Sequence, residues 1–440
     1  MLPATDNPQP SLGFWRATSL VTGNIIGAGL FMLPASLGAY GSLGLLGMLL
    51  TSIGSMCLAF VFAKLSRDRP MIGGPYAYGR DAFGDFIGFQ MAWSYWIGTW
   101  ASVAALAVTF VSYLSVFWQG LDTNLELSLL ISFITVWILT FLNLAGMKMA
   151  STAQVITTVL KIIPLLIIGI CGIPYMNFDH FMPINPSDIP FWPALFASAA
   201  LTLFSFVGLE SATIPAEDVK DPHTTIPKAT IYGTLFAAFI YLGIMIVILG
   251  LLPAEQLAKS PAPFVEAGAI IFGSWAGPLI AIAAIVSTLG TLNGLMIVQG
   301  QIPVAAARDS LFPLFFDKHN KKGSPYMALI VSSVLMCFLL LLNYKSSLVE
   351  QFNTIIIFVT FTVILTYVYT ALADLYFIWC QPNQLTLRQR IQSSIVGFIA
   401  FVFTLIITVG AGQKAVYLGM LLVFSGFPFY VWMKHKAKAS

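Results

Sequence analysis

The 440 residues are 58% hydrophobic and only 9% charged, with a formal net charge of +3. A water-soluble domain averages about 45–50% apolar and about 25% charged residues, so composition excludes a soluble globular protein and makes lipid the solvent for most of the surface. The net charge is small and no stretch is both basic and aromatic, so no nucleic-acid site is legible.

Along the chain, Met1 to Leu12 is polar and proline-containing. It lacks the basic start and small-residue cleavage site of a signal peptide, so the first apolar run is expected to stay. A helix needs about 20 apolar residues to cross a bilayer. Twelve runs reach that length: 14–38, 41–64, 86–118, 124–146, 154–176, 193–215, 228–252, 270–301, 325–343, 350–379, 390–410 and 413–433. The predicted class is an all-α polytopic membrane protein. The third and eighth runs are long enough for tilt or for extra turns outside the membrane.

Placing these spans sorts the loop charges. One side collects Arg16, Lys64, Arg67, Arg69, Arg80, Lys148, Lys220, Lys228, Arg308, Lys318, Lys321, Lys322, Arg388, Arg390, Lys434, Lys436 and Lys438, and the other has Lys259, Lys345 and Lys414, a split of 17 to 3. Basic loops stay cytoplasmic, so both termini are expected inside. Asp122, Glu126, Asp179, Asp188 and Glu255 fall on the opposite side. Lys161 alone among Lys and Arg falls well within a span, about 15 Å along its helix from Ser151. An ionisable group at that depth is costly and is a functional candidate by default.

Two spans are interrupted. Asn24-Ile-Ile-Gly-Ala-Gly-Leu-Phe-Met-Leu-Pro34 lies in the first, Ser205-Phe-Val-Gly-Leu-Glu-Ser-Ala-Thr-Ile-Pro215 in the sixth, and Gly27 to Pro34 repeats the spacing of Gly208 to Pro215. Broken backbone at membrane depth is tolerated only where it is buried or lines a cavity. Matching breaks in two halves point to a binding site between them. The odd offset of five spans inverts the second half. The predicted organisation is a tail (1–13), a first repeat (14–176, spans one to five), an inverted second repeat (193–379, spans six to ten), spans eleven and twelve (390–433) and a tail (434–440).

Three motifs carry a family likeness: Gly23-Asn-Ile-Ile-Gly-Ala-Gly-Leu-Phe31, Gly73-Gly-Pro-Tyr-Ala-Tyr78 and Phe204-Ser-Phe-Val-Gly-Leu-Glu-Ser211. With Gly300-Gln-Ile-Pro-Val-Ala-Ala-Ala-Arg-Asp-Ser-Leu-Phe-Pro313, they resemble the amino acid–polyamine–organocation transporter superfamily over nearly the whole chain. The nearest likeness is to the basic amino acid/polyamine antiporters, whose best-known member exchanges arginine for agmatine. The resemblance implies a five-plus-five inverted repeat, alternating access and a bacterial inner membrane, with an amino acid or amine as substrate, protons as a candidate coupling ion and a homodimer as a candidate assembly.

The resemblance also assigns roles. Asn24, Ile25, Gly27, Ala28 and Gly29 would form the first break. Glycines there free backbone N–H groups, and the half-helix beyond presents a positive dipole end to a carboxylate. Small-residue helix packing is the alternative reading. Ala28 stands where the arginine/agmatine exchanger has serine, which removes one hydroxyl contact.

Glu210 matches a family glutamate that acts as a proton-sensitive switch. A carboxyl in mid-membrane with no adjacent Arg can take up a proton near neutral pH; the alternative is a neutral acid bonded to a carbonyl. Lys161 matches a lysine that, in some relatives, stands in for a sodium ion beside the first span. The alternative is a fixed structural cation. Tyr95, in Trp93-Ser-Tyr-Trp-Ile-Gly-Thr-Trp100, matches a tyrosine near substrate and proton, and brings Gly98 and Thr99 with it. Tyr76 and Tyr367 match gate tyrosines. Asp374, near the inner end of span ten, reads as a structural charge.

The match fails at the side-chain pocket. Phe204 and Leu295 replace two tryptophans that stack on the exchanger's substrate, and Val103 replaces an asparagine. A cation over a ring gains most from Trp and less from Phe. With Val207, these residues make a pocket more apolar than arginine needs, which favours Met, Leu, Ile or Thr, while Glu210 keeps a basic substrate in play.

Cys57, Cys171, Cys337 and Cys380 lie in apolar runs without a CxxC pair and read as packing thiols. His180, His223, His319 and His435 lie in loops or the tail, so neither metal nor cofactor is implied. An intramembrane enzyme would need more convergent acid–base groups than Glu210 and Lys161, and a channel would need a repeated filter. An amino-acid sensor that does not transport remains compatible with these residues.

Overall fold

The computed structural model describes residues 12–380 and 386–439, with side chains except at positions 28, 147–154 and 437–439. The predicted N-terminal tail therefore lies largely outside the described residues, as do the side chains of Ala28, Lys148, Ser151 and Lys438, whereas the predicted tail from 434 is helical to Ala439.

The chain folds into helices throughout. The first crossing is made of α1 (Phe14–Ile25) and α2 (Ala28–Gly38), the second of α3 (Leu43–Asp68). A short α4 (Pro75–Phe83) precedes α5 (Asp85–Leu114), α6 (Leu125–Leu144) and α7 (Met147–Cys171). The sixth crossing is α8 (Phe191–Phe206) followed by 3-10 turns at Ser211–Thr213 and Ala216–Asp218, and the seventh is α9 (Pro222–Leu251). Two short helices, α10 (Ala254–Lys259) and α11 (Pro263–Phe272), lead into α12 (Ala276–Arg308), α13 (Tyr326–Asn343) and α14 (Leu348–Cys380). The chain ends with α15 (Leu387–Gly410), α16 (Gln413–Phe424) and α17 (Phe427–Ala439).

Eleven of the twelve predicted crossings are long and apolar enough to span a membrane among the described residues. The fifth, in α7, offers the shorter described apolar stretch Val155–Cys171. Three departures from the predicted boundaries have local causes. Pro75, Pro253 and Pro263 start or precede α4, α10 and α11, which are too short to register as spans. Gly273, at φ 86°, ends α11, so the eighth crossing begins at Ala276 rather than 270. The twelfth crossing is divided at Ser425–Gly426, where Trp93 Nε1 donates to the Leu422 carbonyl (3.0 Å) at the end of α16 and replaces a lost helical donor.

The packing pairs are themselves patterned. Helix α1 packs on α9 as α8 packs on α3, and α5 packs on α14 as α12 packs on α7. The pairs α3–α9, α5–α12 and α6–α13 each join a helix to its counterpart five crossings later.

One buried ion pair ties α3 to α14. Lys64 Nζ lies 2.9 Å from Asp374, which is 1% exposed, in line with the structural role read from sequence. Removing one partner of such a pair strands a charge in a medium that cannot solvate it. Lys64→Ala is expected to cost on the order of 3 kcal/mol, read as a lower melting temperature in detergent. The double variant Lys64→Ala/Asp374→Leu should recover most of that loss; a double variant as unstable as the sum of the singles would contradict the pairing.

Candidate functional site

At the first break α1 ends at Ile25 and α2 begins at Ala28, with Gly27 extended between them (φ −127°, ψ −165°). The last carbonyls of α1 have lost their helical donors and must find others. Gly23 O accepts from Lys161 Nζ, and Ile25 O accepts from Tyr241 Oη. Lys161 is fully buried and also donates to Thr291 Oγ1 (3.2 Å). Its ammonium thus faces the negative end of the α1 dipole, and no carboxylate pairs with it among the described residues. On the other side of the gap, Leu30 N–H donates to Gly27 O (3.1 Å), and the N–H groups ahead of it in the first turn of α2 have no carbonyl a helical turn earlier to take them.

The second break follows Phe206. Val207 is extended and Gly208 takes φ +106°. A Cβ at Gly208 would come within 2.7 Å of Asn24 Cβ, so only glycine permits both the backbone conformation and the approach of the two breaks. Asn24 Nδ2 then donates to Ser211 Oγ (2.8 Å) across the junction. Sequence predicts a helix resuming after this break to 215, but the chain continues in 3-10 turns. Gly208 leaves the helical region and Pro215 removes an N–H donor, so an α-helical ladder does not re-form.

The two breaks enclose a void lined by Asn24, Ile25, Gly27, Gly29, Phe204, Ser205, Val207, Leu295, Ser102, Leu106 and Thr291. It measures about 10 Å³, room for about one water. Nearer the basic end of the bundle a separate cavity of about 740 Å³ is lined by Arg80, Asp81, Asp85, Glu217, Arg308 and Asp309 among others.

Glu210 lies between the residues that line the two spaces. On its own segment, Val207 lines the void and Glu217 the larger cavity. On α5, Ser102 lines the void and Asp85 the cavity, with Tyr95 between. Glu210 is fully buried and accepts one phenol on each carboxylate oxygen, from Tyr95 Oη and from Tyr367 Oη (2.6 Å). Two donors on two oxygens fit an ionised carboxylate. A proton on either oxygen would turn it into a donor, so the phenol there would have to accept instead of donate.

Seven residues predicted at the substrate site line the void, Asn24, Ile25, Gly27, Gly29, Phe204, Val207 and Leu295, and three more, Glu210, Tyr95 and Tyr367, are hydrogen-bonded together beside it. Three others lie elsewhere. Gly98 faces Thr362 and Val363 of α14, Thr99 Oγ1 donates back to Tyr95 O (2.7 Å), and Val103 is fully buried in the core. Tyr76, on α4, donates to Asp309, which also pairs with Arg80 (2.6 Å). Arg80 holds Asp85 (2.8 Å) as well, and Lys434 of α17 holds the other Asp85 oxygen. Sequence reasoning missed Ser102, Leu106, Ser205, Thr291 and Tyr241. They are ordinary membrane-helix residues whose role depends on which helix faces meet.

The geometry is that of a membrane permease in which two broken helices face each other across a small void. The amino acid permease family profile matches residues 12–427, and the chain belongs to that family: it is a transporter and not an enzyme. It is 34% identical over 332 residues to the cadaverine/lysine antiporter of Escherichia coli strain K12, covering 75% of this chain and 74% of the relative. It is 30% identical over 429 residues to the putrescine transporter PotE of Haemophilus influenzae, covering 97% of each. It is 29% identical over 456 residues to a putative arginine/ornithine antiporter of Bacillus subtilis, covering 96% of this chain and 97% of the relative.

Gly208→Ala should strain the backbone by about 1–3 kcal/mol and push the two breaks apart. The expected outcome is loss of amino-acid binding by a protein that still elutes as a folded species on size exclusion. Unchanged affinity would mean that the close approach of Asn24 and Gly208 does not build the site.

Proposed function

We propose that this permease is an exchanger of amino acids or their decarboxylated amines, working by alternating access. The observation that carries the reading is the pair of facing breaks around a closed void, parted from an open cavity by Glu210 and its two phenols. A substrate carboxylate would meet the α2 N-terminus, its ammonium the carbonyls of the second break, and its side chain Phe204, Val207, Leu106 and Leu295. That lining is apolar and favours an aliphatic side chain. The names of the relatives and the carboxylate of Glu210 favour an amine at the far end. Protonation of Glu210 would replace its charge-assisted phenol contacts with weaker neutral ones and loosen the partition, which would couple opening to pH.

The symmetric packing pairs support reading residues 14–176 and 193–379 as an inverted repeat. The ionic cluster of Arg80, Asp85, Asp309 and Lys434 gathers the basic end of the bundle, which supports a cytoplasmic location for the larger cavity and for both termini in a bacterial inner membrane. A homodimer belongs to this proposal as its assembly. Lys161 favours a second reading, proton-coupled symport, because a buried lysine without a carboxylate partner can cycle its proton.

Proteoliposomes holding the purified protein would be offered labelled lysine, ornithine, arginine, leucine and methionine. Exchange predicts uptake only into vesicles preloaded with amino acid, and Glu210→Gln should slow it by at least about tenfold, the scale of losing a charge-assisted hydrogen bond. Uptake into empty vesicles driven by an inward proton gradient, and abolished in Lys161→Ala, would replace exchange with symport. A folded protein that binds these amino acids but moves none would be a sensor.

A further inference from the structure

We infer that Ser205 is a substrate-binding and specificity-determining residue that donates its hydroxyl to the carboxylate of the amino acid. The inference rests on the amino-acid reading above.

Helix α8 carries three hydroxyl residues in register. In a membrane helix such hydroxyls ordinarily bond back to a carbonyl one turn earlier. Ser198 Oγ does so with Leu195 O (2.9 Å) and Thr202 Oγ1 with Ser198 O (2.8 Å). Ser205, the last of the three, does not. It is 3% exposed and its Oγ has no hydrogen-bond partner among the described residues. A buried hydroxyl left unmade costs about 1–3 kcal/mol, and a local carbonyl would ordinarily relieve that cost.

The direction of the hydroxyl explains the exception. Ser205 lines the void between the breaks. A Cβ on Gly29 would lie 3.3 Å from Ser205 Oγ, so the hydroxyl faces the first turn of α2, whose N–H groups ahead of Leu30 have no helical acceptor. The Ser205 carbonyl is separately engaged, accepting from Tyr241 Oη (3.2 Å), which fixes the backbone of this turn beside Ile25. An anion seated on the α2 N-terminus would therefore receive backbone N–H donors from one broken helix and an O–H donor from the other. The donor comes from the opposite helix, which makes up for the hydroxyl that Ala28 lacks. It also gives the site a contact that a decarboxylated amine cannot use.

The test compares substrates that differ only in the carboxylate. Lysine with cadaverine, and leucine with 3-methylbutylamine, would be measured as competitors of labelled amino-acid uptake by the full-length protein in proteoliposomes. In Ser205→Ala the half-saturation concentration of the amino acid should rise roughly tenfold, as for loss of a hydrogen bond to a charged group, while that of the matching amine moves less than threefold. Ser205→Thr, which keeps the hydroxyl, should restore part of the difference. Equal weakening of both members of a pair would make Ser205 a packing residue and overturn the inference, as would no change in either. Wild-type protein that recognises neither lysine nor leucine would overturn the amino-acid reading and the Ser205 assignment with it, whereas transport unaffected by Ser205→Ala would remove the assignment alone.

Discussion

A backbone polar group released inside a membrane has no water to turn to, and the whole site follows from that constraint. Breaking α1 at Ile25 frees carbonyls whose only available donors are side chains. Lys161 reaches across from α7 to Gly23 O, and Tyr241 reaches from α9 to Ile25 O. Each is buried completely, and each brings a different helix to the break. The same hydrogen bonds that make the break tolerable also assemble its walls. What the break leaves over, the α2 N–H groups ahead of Leu30 and the Ser205 hydroxyl, is what the proposed ligand would use.

The partition below this site uses the same economy. Glu210 would be costly in an apolar setting, and its two oxygens are each met by a phenol. Tyr95 belongs to α5 and Tyr367 to α14, so one carboxylate links three separate elements. The α14 helix is fixed a second time, two turns nearer the basic end, by Asp374 and Lys64. Beyond the partition, Asp85 and Asp309 draw α4, α12 and α17 together through Arg80, Tyr76 and Lys434. The polar contacts of Glu210 stand beside a buried apolar cluster that includes Tyr95, Ile214, Val298 and Ile302.

Much of this was legible in the sequence because the strongest signals are local. Apolar run length marks the crossings, and Gly and Pro mark where helices cannot continue, so both breaks and the depth of Lys161 and Glu210 could be read directly. The Asn24, Phe204, Val207 and Leu295 assignments came through resemblance and lie together in the fold. The failures are equally physical. Short helices such as α4 and α10 bury too little to leave a periodic signal. The 3-10 course after Gly208 depends on a contact with Asn24, 184 positions earlier in number, which no local pattern encodes. Gly98, Thr99 and Val103 sit on the right helix but turn to other neighbours, because a span's hydrophobicity does not say which face meets the site. Ser205 looks in sequence like Ser198, and only the missing back-bond distinguishes them.

The most direct test of the account is the position of a bound substrate. Cryo-electron microscopy of the protein in nanodiscs, saturated with an amino acid it transports, should place the carboxylate at the N-terminus of α2 beside Ser205, with the side chain against Phe204 and Leu295. A substrate found only in the larger cavity, against Arg80 and Arg308, would contradict the claim that the paired helix breaks form the transport site.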